Sequence, residues 1–181
     1  MVSPDRPTAS DDNTAAVTDS PSAVVDSRND VVIEPAAPGD WPDILAVLAT
    51  ANMQHIPSPE VPEFDLACAF VARLAGRIVG VAGYKVLSAF RAKTTLLAVL
   101  PEARRHGIGR LLQERRMDAL CALGIKTLST NSDRPETIAW YEKHFGYVRV
   151  GSLPKLHPFG HEGIHEWTTL ETDLTRWRKA P

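Results

Sequence analysis

Cysteine is scarce: the 181 residues hold only Cys68 and Cys121, too few for a disulfide framework or a cysteine-built zinc cluster. Both stand in apolar stretches and read as small buried hydrophobes, which fits a reducing, cytoplasmic setting. No apolar run approaches the roughly 20 residues that cross a bilayer. The first residues also lack a basic start followed by an apolar core, so neither a membrane helix nor a signal peptide is expected. Neither sign of charge dominates; the formal net charge is −2, which gives no reason to expect nucleic acid as a partner. Internal repeats are absent too.

What is present suits one globular domain. Hydrophobic residues make up 44% and charged residues 23%, and a chain of this length can bury a sizeable core without staples. The charge is unevenly spread. Residues 1–30 carry six aspartates against Arg6 and Arg28 and no aromatic residue, a net −4, which leaves +2 on the remaining 151 residues. The first stretch is expected to be a disordered acidic tail, because it has too little apolar surface to offset its chain entropy. The mild positive bias of the remainder would suit a polyanionic ligand.

Periodicity places the elements. Val31-Val32-Ile33 reads as a strand. Asp40 is expected to cap a helix with Pro42 in its first turn and Ile44, Leu45 and Leu48 on one face. Pro57, Pro59 and Pro62 make residues 57–62 a loop or single turn. Residues 69–74 and 78–84 flank Ala75-Gly76 as a hairpin, and 94–99 is a further strand closed by Pro101. A helix over 108–123 is expected to bury Leu111, Leu112, Ala119, Leu120 and Leu123, with Gly124 ending it. Strand 125–130, helix 135–144 and strands near 147–153 and 166–173 follow. The order predicts an α/β domain built on a mixed, twisted sheet flanked by helices.

The chemistry concentrates in Leu97-Ala98-Val99-Leu100-Pro101-Glu102-Ala103-Arg104-Arg105-His106-Gly107-Ile108-Gly109-Arg110. A strand runs into a short loop that turns directly into a helix. Glycines at the helix start leave outward-pointing N–H groups open at the positive end of the helix dipole, an anion site for a phosphate or pyrophosphate. Arg104, Arg105 and Arg110 add charge beside it. No Lys-Ser/Thr follows the glycines, and no G-x-G-x-x-G with a later acidic residue occurs, so the nucleotide-hydrolase and dinucleotide loops do not fit.

This stretch resembles the GNAT superfamily, the coenzyme A-dependent N-acetyltransferases, whose hallmark R/Q-x-x-G-x-G/A is met by Arg104 through Gly109. A second family element follows: Asn131 after a strand, then Ile138-Ala139-Trp140-Tyr141-Glu142-Lys143-His144-Phe145-Gly146-Tyr147. The resemblance covers about residues 31–174, leaving 175–181 as a C-terminal tail. Family members often carry an Asn about seven residues before the Tyr; Arg134 holds that place here. The helix pair that usually follows the first strand is also shortened.

The resemblance implies the GNAT fold and acetyl-CoA as co-substrate, with no metal. The pyrophosphate would rest on backbone N–H groups of Arg105, His106, Gly107, Ile108, Gly109 and Arg110, beside Arg104. The pantetheine arm would run along Leu97, Ala98 and Val99, where the strand splays from its neighbour. The Val99 N–H would hold the oxyanion, Tyr141 would protonate the departing thiolate, and Asn131 would bond the pantetheine amides. Four residues of the Pro-rich loop, His55, Glu60, Glu63 and Asp65, would face the acceptor. Each has a plainer reading as well: Tyr141 as a packed ring, Asn131 as a strand-end cap, the acidic loop as a solvated one. His157, His161 and His165 stand among Pro158, Gly160 and Gly163, which favours a loop bordering the acceptor over a metal site.

The expected reaction is direct acetyl transfer to a primary amine, with no nucleic acid or membrane partner and without a covalent intermediate through Cys68 or Cys121. The acceptor is open between a small amine and a protein lysine, the acidic loop 60–65 favouring a small cationic amine. The other reading is a silent acyl-coenzyme A sensor, kept open because no base stands out. Homodimers are common in the family.

Overall fold

The β-branched and aromatic runs pair into one sheet, and the helical repeats cover it. The computed structural model describes residues 31–51, 63–157 and 160–177. Seven strands, β1 (Val31–Pro35), β2 (Ala69–Leu74), β3 (Arg77–Ser88), β4 (Arg91–Val99), β5 (Thr127–Ser132), β6 (Val148–Pro154) and β7 (Glu166–Asp173), lie in the order β1-β2-β3-β4-β5-β7-β6. All neighbours are antiparallel except β4 and β5. Three helices flank the sheet: α1 (Trp41–Thr50), α2 (Ile108–Ala122) and α3 (Pro135–Phe145). The mixed α/β architecture expected from the sequence is the one observed.

Local signals account for most boundaries. The β2–β3 turn puts Ala75 at φ 49° and Gly76 at φ 79°, the left-handed pair that matches the twist of a hairpin. Helix α2 ends with Gly124 at φ 78°. Gly124 N–H donates to the Cys121 carbonyl and Ile125 N–H to that of Leu120, both at 3.0 Å, a paired closure that satisfies two of the last carbonyls. After β7 the chain stays packed through Trp177, whose indole N–H donates to Asp118 at 2.7 Å.

Three expectations need correction. Asp40 does not cap α1: it already has helical angles, and its carboxylate accepts from the Ala37 amide at 2.9 Å and from Arg73 at 2.7 Å. A 3₁₀ turn over Pro38–Asp40 leads straight into the helix, so the orphan amide to be satisfied lies three residues earlier. Strand β3 runs on to Ser88 and β4 begins at Arg91. The Lys, Ala and Arg residues of this exposed hairpin carry little strand signal, and Ala89-Phe90 holds no Gly or Asn to mark a turn. In α2, Leu111 is 40% and Leu123 58% exposed. The buried stripe is instead Ile108, Leu112, Gln113, Arg116, Met117 and Leu120; two long polar residues on that face hide its phase from a hydrophobic count.

The core joins Ile44 and Leu48 of α1, Val71 and Val81 of the sheet, and Leu112 and Leu120 of α2; Leu128 and Leu170 extend it towards α3. Two features of the sheet prepare the site. The register of β3 against β4 shifts between Ala82↔Leu97 and Tyr84↔Thr94, so two β4 residues, Thr95 and Leu96, face Gly83 alone, a bulge that bends the strand. Pairing of β4 with β5 then covers only Arg91↔Thr127, Ala92↔Leu128 and Lys93↔Ser129. Beyond Lys93 the two strands part.

Candidate active site

The gap between β4 and β5 is a cleft of about 440 Å³. Leu97, Ala98, Val99 and Arg104 line one wall, Asn131 and Arg134 another, and Tyr141, Gly160 and Trp167 close it. Leu100 N–H donates back to Val79 of β3 at 2.8 Å. Because amides alternate sides along a strand, the N–H groups of Leu97 and Val99 face away from β3, into the gap that β5 has left. A strand edge with free backbone donors and acceptors is what an extended amide-bearing ligand can pair with.

The chain leaves β4 through a 3₁₀ turn, Pro101–Ala103. Arg104 folds back so that its Nε donates to the Val99 carbonyl at 3.0 Å. Arg105 takes φ 66° and Gly107 φ 78°; Gly107 is the residue before α2 and carries no side-chain cap. The first-turn amides therefore have no intrahelical acceptor and sit at the positive end of a 15-residue helix. A Cβ on Gly107 would meet nothing within 4 Å, and one on Gly109 only Val99 at an ordinary 3.8 Å. The protein itself leaves the space above both glycines open. His106 is exposed there, while the Ile108 side chain is buried in the core, so only its backbone faces outward. Arg110 bonds Glu114 one turn on, at 2.8 Å, and Glu102 pairs at 3.3 Å with Arg77 on the surface.

Tyr141 is 3% exposed, yet lines the cleft. Trp140 packs edge-on against it at 4.9 Å and Tyr147 lies at the same centroid distance. Gly146, at φ 63°, closes α3 by donating to the Tyr141 carbonyl. Asn131 turns its side-chain oxygen to Lys93 Nζ at 3.0 Å and its nitrogen to Thr169 Oγ1 at 3.2 Å. Arg134 precedes α3 in extended conformation without capping it.

Asp133, which also lines the cleft, forms a buried ion pair with Lys155 at 2.6 Å, their side chains 7% and 6% exposed. Lys155 also lies 4.6 Å from the Trp167 ring, and the His161 amide donates to the same carboxylate. Burial pushes the Asp133 carboxyl up, but the bonds from Lys155 and His161 more than offset it, leaving it below the ordinary carboxylate value. The pair ties the segment before β7 to the end of β5. It also occupies Asp133, which is therefore no free base.

The residues expected from the sequence divide into two groups. Leu97, Ala98, Val99, Arg104, Asn131 and Tyr141 meet in the cleft, with the Arg105–Arg110 loop continuing from its edge. Glu63 and Asp65 do not: both line a different hollow beside Trp41, Phe64 and Tyr84, and Asp65 accepts from the Ala67 amide at 2.9 Å. His55 and Glu60 lie outside the described residues. Cys68 is partly buried there, its thiol pushed up by burial and by Asp65, and Cys121 is half-buried on α2. Among the described residues no three His, Cys, Asp or Glu groups converge as a metal site, and no helix is long and apolar enough to cross a membrane. The sequence reading missed the buried polar set Gln113, Arg116 and Tyr147 and the Asp133–Lys155 pair. Nothing in residue spacing announces either, since the partners come from separate elements.

A strand splayed at a bulge, a left-handed glycine before a helix and a tyrosine facing the gap define an acetyltransferase scaffold. Residues 65–149 match the acetyltransferase (GNAT) domain family, and the sheet and helices have the GNAT fold. Solved structures share its fold. Ard1 from Thermoplasma volcanium superposes with a TM-score of 0.66 at 18% identity, covering 80% of this chain and 97% of that one. The ribosomal-protein-S18-alanine N-acetyltransferase from Escherichia coli gives 0.66 at 19%, covering 80% and 94%. A GNAT family acetyltransferase from Elizabethkingia anophelis with acetyl-CoA bound gives 0.65 at 15%, covering 80% and 99%. No curated protein matches the sequence.

Proposed function

We propose that this chain transfers an acetyl group from acetyl-CoA to a primary amine by direct attack, the acceptor being a small molecule. One observation carries the reading: the divergence of β4 from β5 opens the Val99 amide and Tyr141 to the same cleft. The co-substrate's pyrophosphate fits the open space over Gly107 and the first-turn amides of α2, and its pantetheine arm fits the free edge of Leu97–Val99. The Elizabethkingia neighbour, which holds acetyl-CoA, supports the same assignment.

In this reading the amine nitrogen attacks the thioester carbon while the Val99 N–H donates to the oxygen that gains charge. Collapse breaks the C–S bond, and the thiolate takes the Tyr141 proton. The amine's surplus proton leaves through water, since Asp133 is held by Lys155. Asn131 and Lys93 offer polar contacts to the arm. His55, Glu60, Glu63 and Asp65 were expected at the acceptor; the position of Glu63 and Asp65 in a separate hollow shifts the acceptor's surroundings to Gly160, Trp167 and Thr50 at the cleft.

The test is thiol release from acetyl-CoA with a panel of small amines, run with Tyr141→Phe in parallel. We expect amine-dependent release that falls by about tenfold or more in the variant, with the KM for acetyl-CoA little changed. Tight acetyl-CoA binding without release for any amine would replace the enzyme by an acyl-coenzyme A sensor.

A further inference from the structure

Arg116 is the largest fully buried side chain among the described residues, 0% exposed in the third turn of α2. Among the described residues no carboxylate pairs with it. Its Nη1 donates to the Gly83 carbonyl at 2.8 Å and the Leu96 carbonyl at 3.2 Å. Its Nη2 bonds the Gln113 side-chain oxygen and lies 3.5 Å from the Tyr141 hydroxyl. Its Nε has no partner. Arginine keeps its charge when buried, and a buried charge without a counter-ion is unfavourable. Leu112, Met117 and Leu120 share this face, so an apolar residue would suit stability better.

The charge sits where two features of the cleft meet. Gly83 and Leu96 belong to the two strands at the register shift that bends β4, so the guanidinium clasps the bulge from beneath. On its other side is the hydroxyl assigned to protonate the thiolate. Tyr147, the other phenol nearby, accepts from Gln113 Nε2 at 3.2 Å. Burial, and to a lesser degree Tyr141, push it above the ordinary phenol value, and among the phenols beside Arg116 it is Tyr141, not Tyr147, that lines the cleft.

We propose that Arg116 is a positioning residue for acyl transfer: it holds the bulge that opens the cleft and serves as the waiting counter-ion of Tyr141. When the C–S bond breaks, the Tyr141 O–H bond breaks and an S–H bond forms, leaving the electron pair on the phenol oxygen. That phenolate faces the unpaired guanidinium in a site shielded from water, where the attraction is strong. The proton lost by the amine returns to the phenolate through water. This proposal rests on Tyr141 being the acid.

The experiment is a double-mutant cycle with Arg116→Met, Arg116→Lys, Tyr141→Phe and the Met/Phe pair, each first checked for folding by its melting temperature. Thiol release is measured with the fastest amine of the panel, or with water as acceptor where none reacts. We expect Arg116→Met to lower kcat by about tenfold or more with the KM for acetyl-CoA within about threefold. In the Tyr141→Phe background the same change should cost less than about threefold, the non-additivity of groups that act together. Arg116→Lys should recover part of the loss, and it replaces the Met variant if that fails to fold. Equal losses in both backgrounds, or a loss confined to KM or melting temperature, would overturn the role of Arg116 while leaving Tyr141 intact. A Tyr141→Phe protein as active as its parent would overturn the acid itself, and this proposal with it.

Discussion

Two glycines carry requirements that other residue types meet only at a cost, and for different reasons. Gly107 stands at φ 78° with open space around it, so its need is conformational. Gly107→Ala should cost about 1–2 kcal/mol, the strain of a left-handed L-residue, and should weaken acetyl-CoA binding; denaturant unfolding and calorimetry read the two effects separately. Gly83 is limited by space instead. A Cβ there would lie 2.4 Å from Thr95 Oγ1 and 2.7 Å from the Phe64 ring, Thr95 being one of the two bulged β4 residues. Gly83→Ala is expected to destabilise by about 1–3 kcal/mol, as overpacking does, and to lower kcat by disturbing β4. An alanine variant with unchanged stability and rate would mean that the bulge has room to relax.

Among the elements, the segment between β6 and β7 is tied to the end of β5 by the buried Asp133–Lys155 pair. Removing one partner leaves the other charge buried, so Lys155→Met should lose about 3 kcal/mol or more, read by thermal or denaturant unfolding. The pair also sets a pH response. The folded Asp133 carboxyl lies below its ordinary value, so its contribution is fully present above about pH 4. It is lost as pH falls through the lowered folded value. Amide protection at residues 155–157 and 160–165, corrected for the intrinsic rate, should fall below about pH 4 before the β2–β3 hairpin responds; simultaneous loss everywhere would show that the pair does not act locally.

At the scale of the molecule, the described part of the chain begins at Val31 and ends at Trp177. The last residue is anchored by its bond to Asp118 and by the Phe145 ring at 6.0 Å. We expect a chain of residues 31–177 to melt at the temperature of the full chain and to bind acetyl-CoA equally well. Weaker binding would assign residues 1–30 a part in the site. Strand β6 forms one edge of the sheet with Val148 60% and Val150 52% exposed, and β1 forms the other.

Much of this was legible in the residues alone, and the reason is locality. Hairpin turns, helix starts and stops, and the run from Leu97 to Arg110 depend on neighbours a few positions away, so their glycines, prolines and alternation state them directly. The residues of that run that line the cleft came with them, as did the tyrosine on α3. What the tertiary structure alone decided depends on residues brought together from distant positions. It placed Glu63 and Asp65 in a hollow away from the cleft, because the 3₁₀ turn after them leads into β2 rather than towards β5. It turned α2 so that Gln113 and Arg116 face inward, since carbonyls of β3 and β4 and two phenols await them. And it joined Asp133 to Lys155 across 22 residues. A buried polar group is explained only by its partners, and those are chosen by the fold.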